Sequence, residues 1–413
     1  MSSSKKLRLA VIGCCRRGVL ADLAHHPEDG VEIVTGADIR ESQLERFRNR
    51  YREKFNGTVT TYVDYREMIE REQPDGVFIT SPDFCHREQA VFCLEHKIPV
   101  YLEKPLAISI ADADAVLQAA RDHRTALMLG HNMRYLAFVQ KIRELIVSGI
   151  IGDVKAVWCR HFVSYGGDNY FRDWHAERAK VNSLLLQKGA HDIDVMQYWL
   201  DSTATMVNAI GSQSLYADLP RRTEEPAMHR DAAADVSHWP PDRQRDFNPV
   251  IDVEDINQVN MRFANGVTGC YLQCHFTPDA CRNYTVIGTR GRLENYGDVH
   301  PGASIQVWTR RSDKFELEGD ITCRLPAGTE EHGGADPLIV QDFVNLLRKQ
   351  HAPRSTPQAA RYSVAAGCCA ADSLRQGGIP MAVPRLTAEL ENYNYSQIAE
   401  KNHDSSKQER VRK

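Results

Sequence analysis

Leu7-Arg8-Leu9-Ala10-Val11-Ile12-Gly13-Cys14-Cys15-Arg16-Arg17-Gly18 decides the fold of this chain. Residues 7–12 form a short apolar run that breaks at Gly13, and residues 14–25, free of proline, read as turn then helix. Strand, glycine turn and helix in that order make a dinucleotide site: the first glycine makes the turn, the second admits the pyrophosphate, and the third packs helix on strand. The helix N-terminus adds amide donors and the positive end of its dipole. Gly13 and Gly18 fill the outer positions, and the middle one is Cys15, small enough to be tolerated. The backbone from Gly13 through Cys14, Cys15 and Arg16 to Gly18 is then the candidate cofactor surface. An ordinary glycine turn is the competing reading.

The next strand weighs against that alternative. Residues 31–37 run into Asp38, about 20 residues beyond Gly18, where a ribose-binding carboxylate belongs. An acid there accepts from the 2′ and 3′ hydroxyls and repels a 2′-phosphate, so Asp38, with Ile39 and Arg40 after it, favours NAD over NADP. Arg16, Arg17 and Arg40 keep the other cofactor open, because a guanidinium pairs readily with phosphate.

Beyond Asp38 the pattern alternates: a helix over 41–54, a strand near 59, a helix over 65–70, a buried strand over 76–80, a helix over 84–96 and a strand over 98–102. Such alternation predicts a parallel sheet. Ser81-Pro82-Asp83 ends one strand at the carboxyl edge, where ligands of doubly wound sheets bind, and His86 follows either to flank the cofactor or to sit on a helix surface. Glu103-Lys104-Pro105 closes the next strand at the same edge. A lysine there is partly desolvated beside a cationic nicotinamide, and both effects lower its pKa from about 10.4, so that it can trade protons with a substrate hydroxyl. A surface lysine paired with Glu103 is the plainer alternative.

These features, together with Gly130-His131-Asn132-Met133-Arg134-Tyr135, Gly189-Ala190-His191-Asp192-Ile193-Asp194 and the late stretch 287–294, stand in an order that resembles the Gfo/Idh/MocA oxidoreductases over nearly the whole chain. The resemblance implies an N-terminal Rossmann doubly wound parallel sheet over 1–131, α/β in class. An α+β substrate and oligomerisation domain with an open, mostly antiparallel sheet would span 132–384, and a polar tail 385–413. Asn132 would join the cofactor side and Arg134 and Tyr135 the substrate side. Period-two runs such as 154–159, and the pair 259–263 and 267–275 joined by Asn265-Gly266, agree with an antiparallel sheet. Late helices over 338–349 and 365–375 are expected to close against the rest.

Where the family usually carries an aspartate four residues before a histidine, this chain has Gln187 before His191. An amide orients a hydroxyl but cannot take its proton, so the base role falls to His191, with Lys104 polarising or relaying and Tyr135 as a further candidate base. A structural histidine at a helix start is the alternative for His191. Lys188 adds a cation, and the stretch 170–178, with Arg172, Trp174, His175 and Arg178, mixes sugar-stacking rings with guanidinium forks suited to carboxylate, phosphate or sulfonate, although solvated ion pairs account equally for any one arginine. The expected activity is NAD-dependent hydride removal from a ring hydroxyl, at carbon 3, of an acidic or sulfonated pyranoside. The alternative is an NAD-dependent glycosidase of the sulfoquinovosidase kind, which oxidises, eliminates, hydrates and re-reduces. A nucleotide-binding sensor is a minor third reading.

The 413 residues, 42% hydrophobic with a formal net charge of -4, favour neither nucleic acid nor membrane as partner, and no apolar run approaches a membrane span. A cytoplasmic homo-oligomer, dimer or tetramer, with its 11 cysteines as free thiols is expected. Cys270, Cys274, His275 and Cys281 match no common zinc spacing, so no metal is expected. The proline-rich stretch 216–250, with His229, His238 and Trp239, reads as a lid, an intersubunit arm or a solvated loop.

Overall fold

The computed structural model describes residues 6–223, 235–326 and 331–397. Six strands, β1 (Leu7–Ile12), β2 (Val31–Ala37), β3 (Thr60–Tyr62), β4 (Gly76–Ile79), β5 (Val100–Leu102) and β6 (Leu127–Leu129), form a wholly parallel sheet in the order β3-β2-β1-β4-β5-β6. The β4 and β5 side chains are buried throughout, because helices cover both faces of the sheet. Its helices are α1 (Glu41–Phe55), α2 (Tyr65–Glu72), α3 (His86–Glu95) and α4 (Ile110–Asp122). Strand order turns back between β1 and β4, which opens a crevice at their carboxyl ends.

Two glycines set that crevice. A Cβ on Gly13, whose φ is +89°, would lie 2.7 Å from the Ser81 nitrogen, and one on Gly18 would lie 2.3 Å from the Gly13 oxygen. No other residue lets the turn after β1 lie this close to the loop after β4. The segment after the turn, Arg16–Ala24, is a 3-10 helix and not the α-helix typical of such units.

The second sheet has nine strands: β7 (Val154–Phe162), β8 (Ala204–Ser212), β9 (Ile256–Phe263), β10 (Thr268–Cys274), β11 (Cys281–Gly288), β12 (Arg292–Tyr296), β13 (Ser304–Trp308), β14 (Ile321–Arg324) and β15 (Met381–Ala382). Their order is β14-β13-β12-β11-β7-β10-β9-β8-β15, antiparallel except for β7 beside β10. The Asn265-Gly266 turn joins β9 to β10, with Gly266 at φ +84° and the Phe263 amide donating to the Val267 oxygen at 2.9 Å. Along β9 buried and exposed residues alternate, so one face is covered. The helices of this half are α5 (Ala137–Val147), α6 (Gly166–Tyr170), α7 (Arg178–Val181), α8 (Leu184–Gln187), α9 (Gly189–Leu200), α10 (Ala335–Leu347), α11 (Pro357–Arg375) and α12 (Ala388–Glu391). α11 lies along β8, α9 and α8.

Both late helices touch the parallel sheet. On α10, Phe343 packs edge-on against Phe78 at 5.1 Å, and α11 reaches α4. The chain beyond 384 also returns to that sheet: Leu386, Leu390 and Tyr395 are buried in its outer core, and the Leu127 amide donates to the Tyr395 oxygen at 3.0 Å. The polar end expected after 384 is therefore docked as far as it is described, and residues 398–413 lie outside the described residues.

The described parts of the 216–250 stretch are anchored, not a solvated loop. Tyr216 stacks on Phe171 at 4.1 Å, Phe247 meets Tyr216 at 5.3 Å, and these rings share a small core with Val163, Tyr170 and Leu184. His238 contacts the Asp168 carboxylate at 2.7 Å while Trp239 is exposed. His229 lies outside the described residues.

Candidate active site

At the carboxyl edge of the parallel sheet, Asp38 holds the glycine turn. Its Oδ2 accepts from the Cys14 amide at 3.1 Å and its Oδ1 from the Arg40 amide at 3.0 Å. The Arg40 guanidinium lies over the same corner, with Nε 3.6 Å from Asp38 Oδ1 and Nη2 donating to Cys15 Sγ at 3.2 Å. Ile39 is exposed beside them, and the Cys14 thiol is buried, which pushes its pKa well up and keeps it inert. A turn that no side chain can narrow, with a carboxylate at the end of β2, fits the pyrophosphate and adenosine ribose of a dinucleotide.

Several residues expected to touch the cofactor are committed to the scaffold instead. His86 is fully buried, with Nδ1 2.7 Å from the Pro105 oxygen and Nε2 3.0 Å from the Ser81 oxygen, so it clamps the two loops of the edge together and offers no ring nitrogen to a ligand. Glu103 accepts from Arg17 Nε at 2.6 Å and from the Lys104 amide at 3.1 Å. Asn132 donates to Asp336 at 3.0 Å, and Arg17 reaches the same carboxylate at 2.5 and 2.9 Å. Arg17 is thus held by two acids and is not placed for a phosphate. Ser81, beside Pro82, spends its hydroxyl on Gln89 at 2.5 Å. Arg16, at φ 42°, reaches across to Asp173 at 3.4 Å.

The candidate catalytic wall is built where the end of β5 meets α8 and α9. Lys104 is half-buried, and its Nζ donates to the Gln187 carbonyl oxygen at 2.9 Å. Burial lowers its pKa to about 8, against the upward pull of the Asp83 carboxylate that faces it. His191, near the amino end of α9, is pushed well below its ordinary value by burial, by the Lys104 ammonium and by His131, whose ring lies 6.1 Å away. Its Nδ1 is buried without a hydrogen-bond partner, as is Gln187 Oε1. Lys188 is 9% exposed and donates to the Tyr165 hydroxyl at 3.4 Å.

Asp83 escaped the sequence reading. It is 4% exposed, burial raises its pKa, Oδ2 has no hydrogen-bond partner, and Lys104, His86 and His175 face it. A carboxylate two residues past the end of the loop at Ser81 was the available signal. Also missed is Asp192, next to His191, which accepts from Arg282 at 2.9 Å, from Tyr271 at 3.2 Å and from the Tyr284 hydroxyl, with His161 Nδ1 at 3.1 Å. This fully satisfied carboxylate fixes the start of α9 beneath the site.

Other expected substrate residues lie elsewhere. Arg134 forms a buried two-pronged bond to Asp194, at 2.7 and 2.8 Å, and donates to the Arg354 oxygen. Tyr135 donates to Asp342 at 2.5 Å, and burial together with that carboxylate raises its pKa, so it is no base. Arg172 donates to the Arg245 oxygen at 2.9 Å and Arg178 to Glu254 at 2.8 Å. His175 is tied to Asp173, which it holds at about 2 although burial works the other way, and stacks on Trp174 at 3.7 Å; Trp174 meets Phe84 at 6.0 Å. The segment 173–175 therefore closes against the loop after β4 and frames the site, while the arginines expected to read an anion are already paired.

Residues 7–131 match the family model described as "Oxidoreductase family, NAD-binding Rossmann fold", and residues 143–383 match "Oxidoreductase family, C-terminal alpha/beta domain". The protein YteT of Bacillus subtilis (strain 168) is 25% identical over 73% of this chain and 80% of its own length. Glycosyl hydrolase family 109 protein 2 of Akkermansia muciniphila is 23% identical over 92% of this chain and 83% of its own. Among solved structures, levoglucosan dehydrogenase in complex with NADH and levoglucosan superposes with a TM-score of 0.73 at 19% identity, covering 92% of this chain and 100% of that one, a likeness of fold. The two family models together run through both sheets, and the chain belongs to the Gfo/Idh/MocA oxidoreductase family, with an NAD-binding Rossmann domain at its amino end.

Proposed function

We propose that the protein oxidises a ring hydroxyl, that on carbon 3, of a pyranoside carrying an acidic group. The observation that carries this reading is Lys104: an amine of pKa about 8 at the carboxyl edge of the NAD-binding sheet, held at 2.9 Å by the Gln187 carbonyl oxygen of the opposite wall. NAD supplies the hydride acceptor when bound over the glycine turn. Lys104 Nζ, in its neutral form, takes the hydroxyl proton, because a base works best with a pKa near the working pH. His191, lowered well below its ordinary value, stays neutral and orients the hydroxyl by a hydrogen bond in place of acting as the base expected from sequence. The Gln187 amide, with its buried unpartnered Oε1, adds an acceptor for a neighbouring hydroxyl. That a sugar is the substrate draws support from the levoglucosan held by the structural neighbour.

A second reading, transient oxidation with elimination of the aglycone, hydration and re-reduction, draws support from the family 109 relative. It needs a further base for carbon 2. Tyr135 is tied to Asp342, and the phenol on the right wall is Tyr165, lowered by the Lys188 ammonium. Purified protein with NAD and a panel of neutral, uronic and sulfonated aryl glycosides tests both readings. NADH formed in step with substrate loss supports the dehydrogenase. Phenol released over many turnovers with only trace NAD and no net NADH supports the second reading and removes the first.

We further infer a cytoplasmic homo-oligomer, dimer or tetramer, joined through the outer face of the nine-stranded sheet, where Trp158 on β7 is exposed in register with Cys270 on β10. Trp158→Glu is expected to lower the mass measured by light scattering; an unchanged mass removes this face as the interface.

A further inference from the structure

Lys188 is a charge without an answer in the site. It is 9% exposed, and among the described residues no carboxylate lies within ion-pairing distance of its Nζ. Its neighbours are the Tyr165 hydroxyl at 3.4 Å and the rings of Tyr165 and Tyr170, with centroids 5.4 and 5.3 Å away. Taking an ammonium out of water is costly unless it is paired, and the neutral hydroxyls of Tyr165 and Tyr170 with their two ring faces offset part of that cost. The other cations of this wall are answered. Arg282 donates to Asp192 at 2.9 Å, Arg178 to Glu254 at 2.8 Å, and Lys104 to the Gln187 oxygen with Asp83 facing it. Asp192, the nearest acid along the chain, is taken up by Arg282, Tyr271, Tyr284 and His161. The same surplus of positive charge acts on His191, which Lys104, Arg282 and Lys188 all push down.

From this geometry we infer that Lys188, with the Tyr165 hydroxyl, is the subsite for an anionic oxygen group of the substrate, a carboxylate, phosphate or sulfonate borne by the sugar. The inference rests on the sugar-oxidoreductase reading above and gives it a residue. The ammonium lies near enough to Lys104 and to His191 to push both of their pKa values down, so an acid group docked on Lys188 leaves the rest of the ring within reach of those two residues. Tyr165, its partner in the pair, is half-buried. The anion is read by a lysine as a point charge, and not by the forks of Arg172 and Arg178.

The test is calorimetric titration of the NAD-loaded full chain with glucuronic acid, glucose 6-phosphate, sulfoquinovose and glucose. At least one of the three acids is expected to bind about tenfold to a hundredfold more tightly than glucose, as a charge-assisted hydrogen bond allows. Which acid does so distinguishes carboxylate, phosphate and sulfonate. Lys188→Met is expected to erase that margin while NAD affinity and the near-ultraviolet circular dichroism stay as in the parent, and Lys188→Arg to restore part of it. An undiminished margin in Lys188→Met, or glucose bound as tightly as all three acids by the parent, overturns the inference. So does a Tyr165 phenolate, seen by its absorbance near neutral pH in the parent and lost in Lys188→Met, because the ammonium then has its counter-ion inside the protein. The readout is binding, so the two proposals fail separately. Acid-selective binding through Lys188 without hydride transfer removes the oxidoreductase reading alone, and turnover of sugars with no preference for acids removes this one alone.

Discussion

Lys104 Nζ donates to the main-chain carbonyl oxygen of Gln187 at 2.9 Å, a bond that ties the end of the parallel sheet to the wall in front of α9. The partner is backbone, so the side chain at 187 is free to face a ligand, and the amine stays in place whether or not a carboxylate occurs there. Its basicity is then set by burial against the facing Asp83.

That placement fixes an expected pH profile. The rate of hydride transfer rises as pH passes about 8, where Lys104 loses its proton, and Lys104→Met lowers turnover by about 10²–10⁴-fold, the usual worth of a positioned acid-base group, with NAD binding retained. The sign for stability is opposite to that of an ion-paired lysine. The folded pKa of about 8 lies below the ordinary 10.5, so the unfolded chain holds the proton more tightly. The cost is present in full below pH 8 and is relieved as pH rises toward 10.5, and Lys104→Met is therefore expected to melt higher than the parent at pH 7. A flat rate profile from neutral pH to above 9 in the parent would take the proton away from Lys104.

Arg134 is expected to matter for stability and not for the sugar. Arg134→Ala strips two hydrogen bonds from Asp194, a buried carboxylate held far below its usual range, and leaves it only His131, whose Nδ1 lies 3.1 Å away, at a cost of about 3 kcal/mol read from the urea midpoint. Tyr135→Phe, which deprives Asp342 of its phenol, costs about 1–3 kcal/mol. In both variants the folded enzyme keeps the parent KM; a raised KM with unchanged stability would return these residues to the substrate.

These two residues show where sequence stops being legible. β1, β2 and the Asn265-Gly266 hairpin follow from patterns a few residues long, and Gly13 and Asp38 from one strand-turn-helix unit with the strand that follows it, so local chemistry was enough. Arg134 and Tyr135 are defined by partners 60 and 207 positions away. A guanidinium or a phenol has the same letters whether it meets a sugar or a buried aspartate, and only the fold says which. Arg172 and Arg178 misled for the same reason. Asp83 was passed over because its value lies in being buried against Lys104, which no local pattern records. Lys188 could be singled out from sequence because it is next to Gln187 in the chain itself.

Acid is expected to unfold the protein through histidines before carboxylates. Burial holds His161 at about 3 and pushes His191 and His275 well below 6.5, so the folded state keeps all three neutral while the unfolded chain protonates near 6.5. Stability is complete above that value and falls with pH below it, each group adding a slope of about 1.36 kcal/mol per pH unit. Asp192, Asp194 and Asp336 are depressed carboxylates whose stabilisation is lost only below their ordinary 3.8, so the window between 6.5 and 4 belongs to the histidines. His275 is the one to change. Both its ring nitrogens are buried without partners, between Tyr170 at 5.2 Å and Phe171 at 6.1 Å, and His275→Phe should flatten the urea midpoint against pH in that window and raise it at neutral pH. An equally steep curve in the variant would place the titration elsewhere.

Cofactor choice turns on the corner where Asp38 and Arg40 meet. The Asp38 carboxylate is fixed by the amides of Cys14 and Arg40, so it presents a rigid negative charge where the adenosine ribose lies and stands against a 2′-phosphate. The parent is accordingly expected to bind NAD more tightly than NADP. Arg40 Nε is only 3.6 Å from that carboxylate, so Asp38→Ala does two things at once: it removes the acceptor for the ribose hydroxyls and releases a guanidinium for a phosphate. NAD should weaken about tenfold to a hundredfold, as loss of a charged hydrogen bond requires, while NADP tightens. The double variant Asp38→Ala with Arg40→Met separates the two effects, since it should keep the loss for NAD and abolish the gain for NADP. If NADP gains equally in the double variant, Arg40 is not the phosphate partner, and the selectivity of Asp38 is repulsion alone.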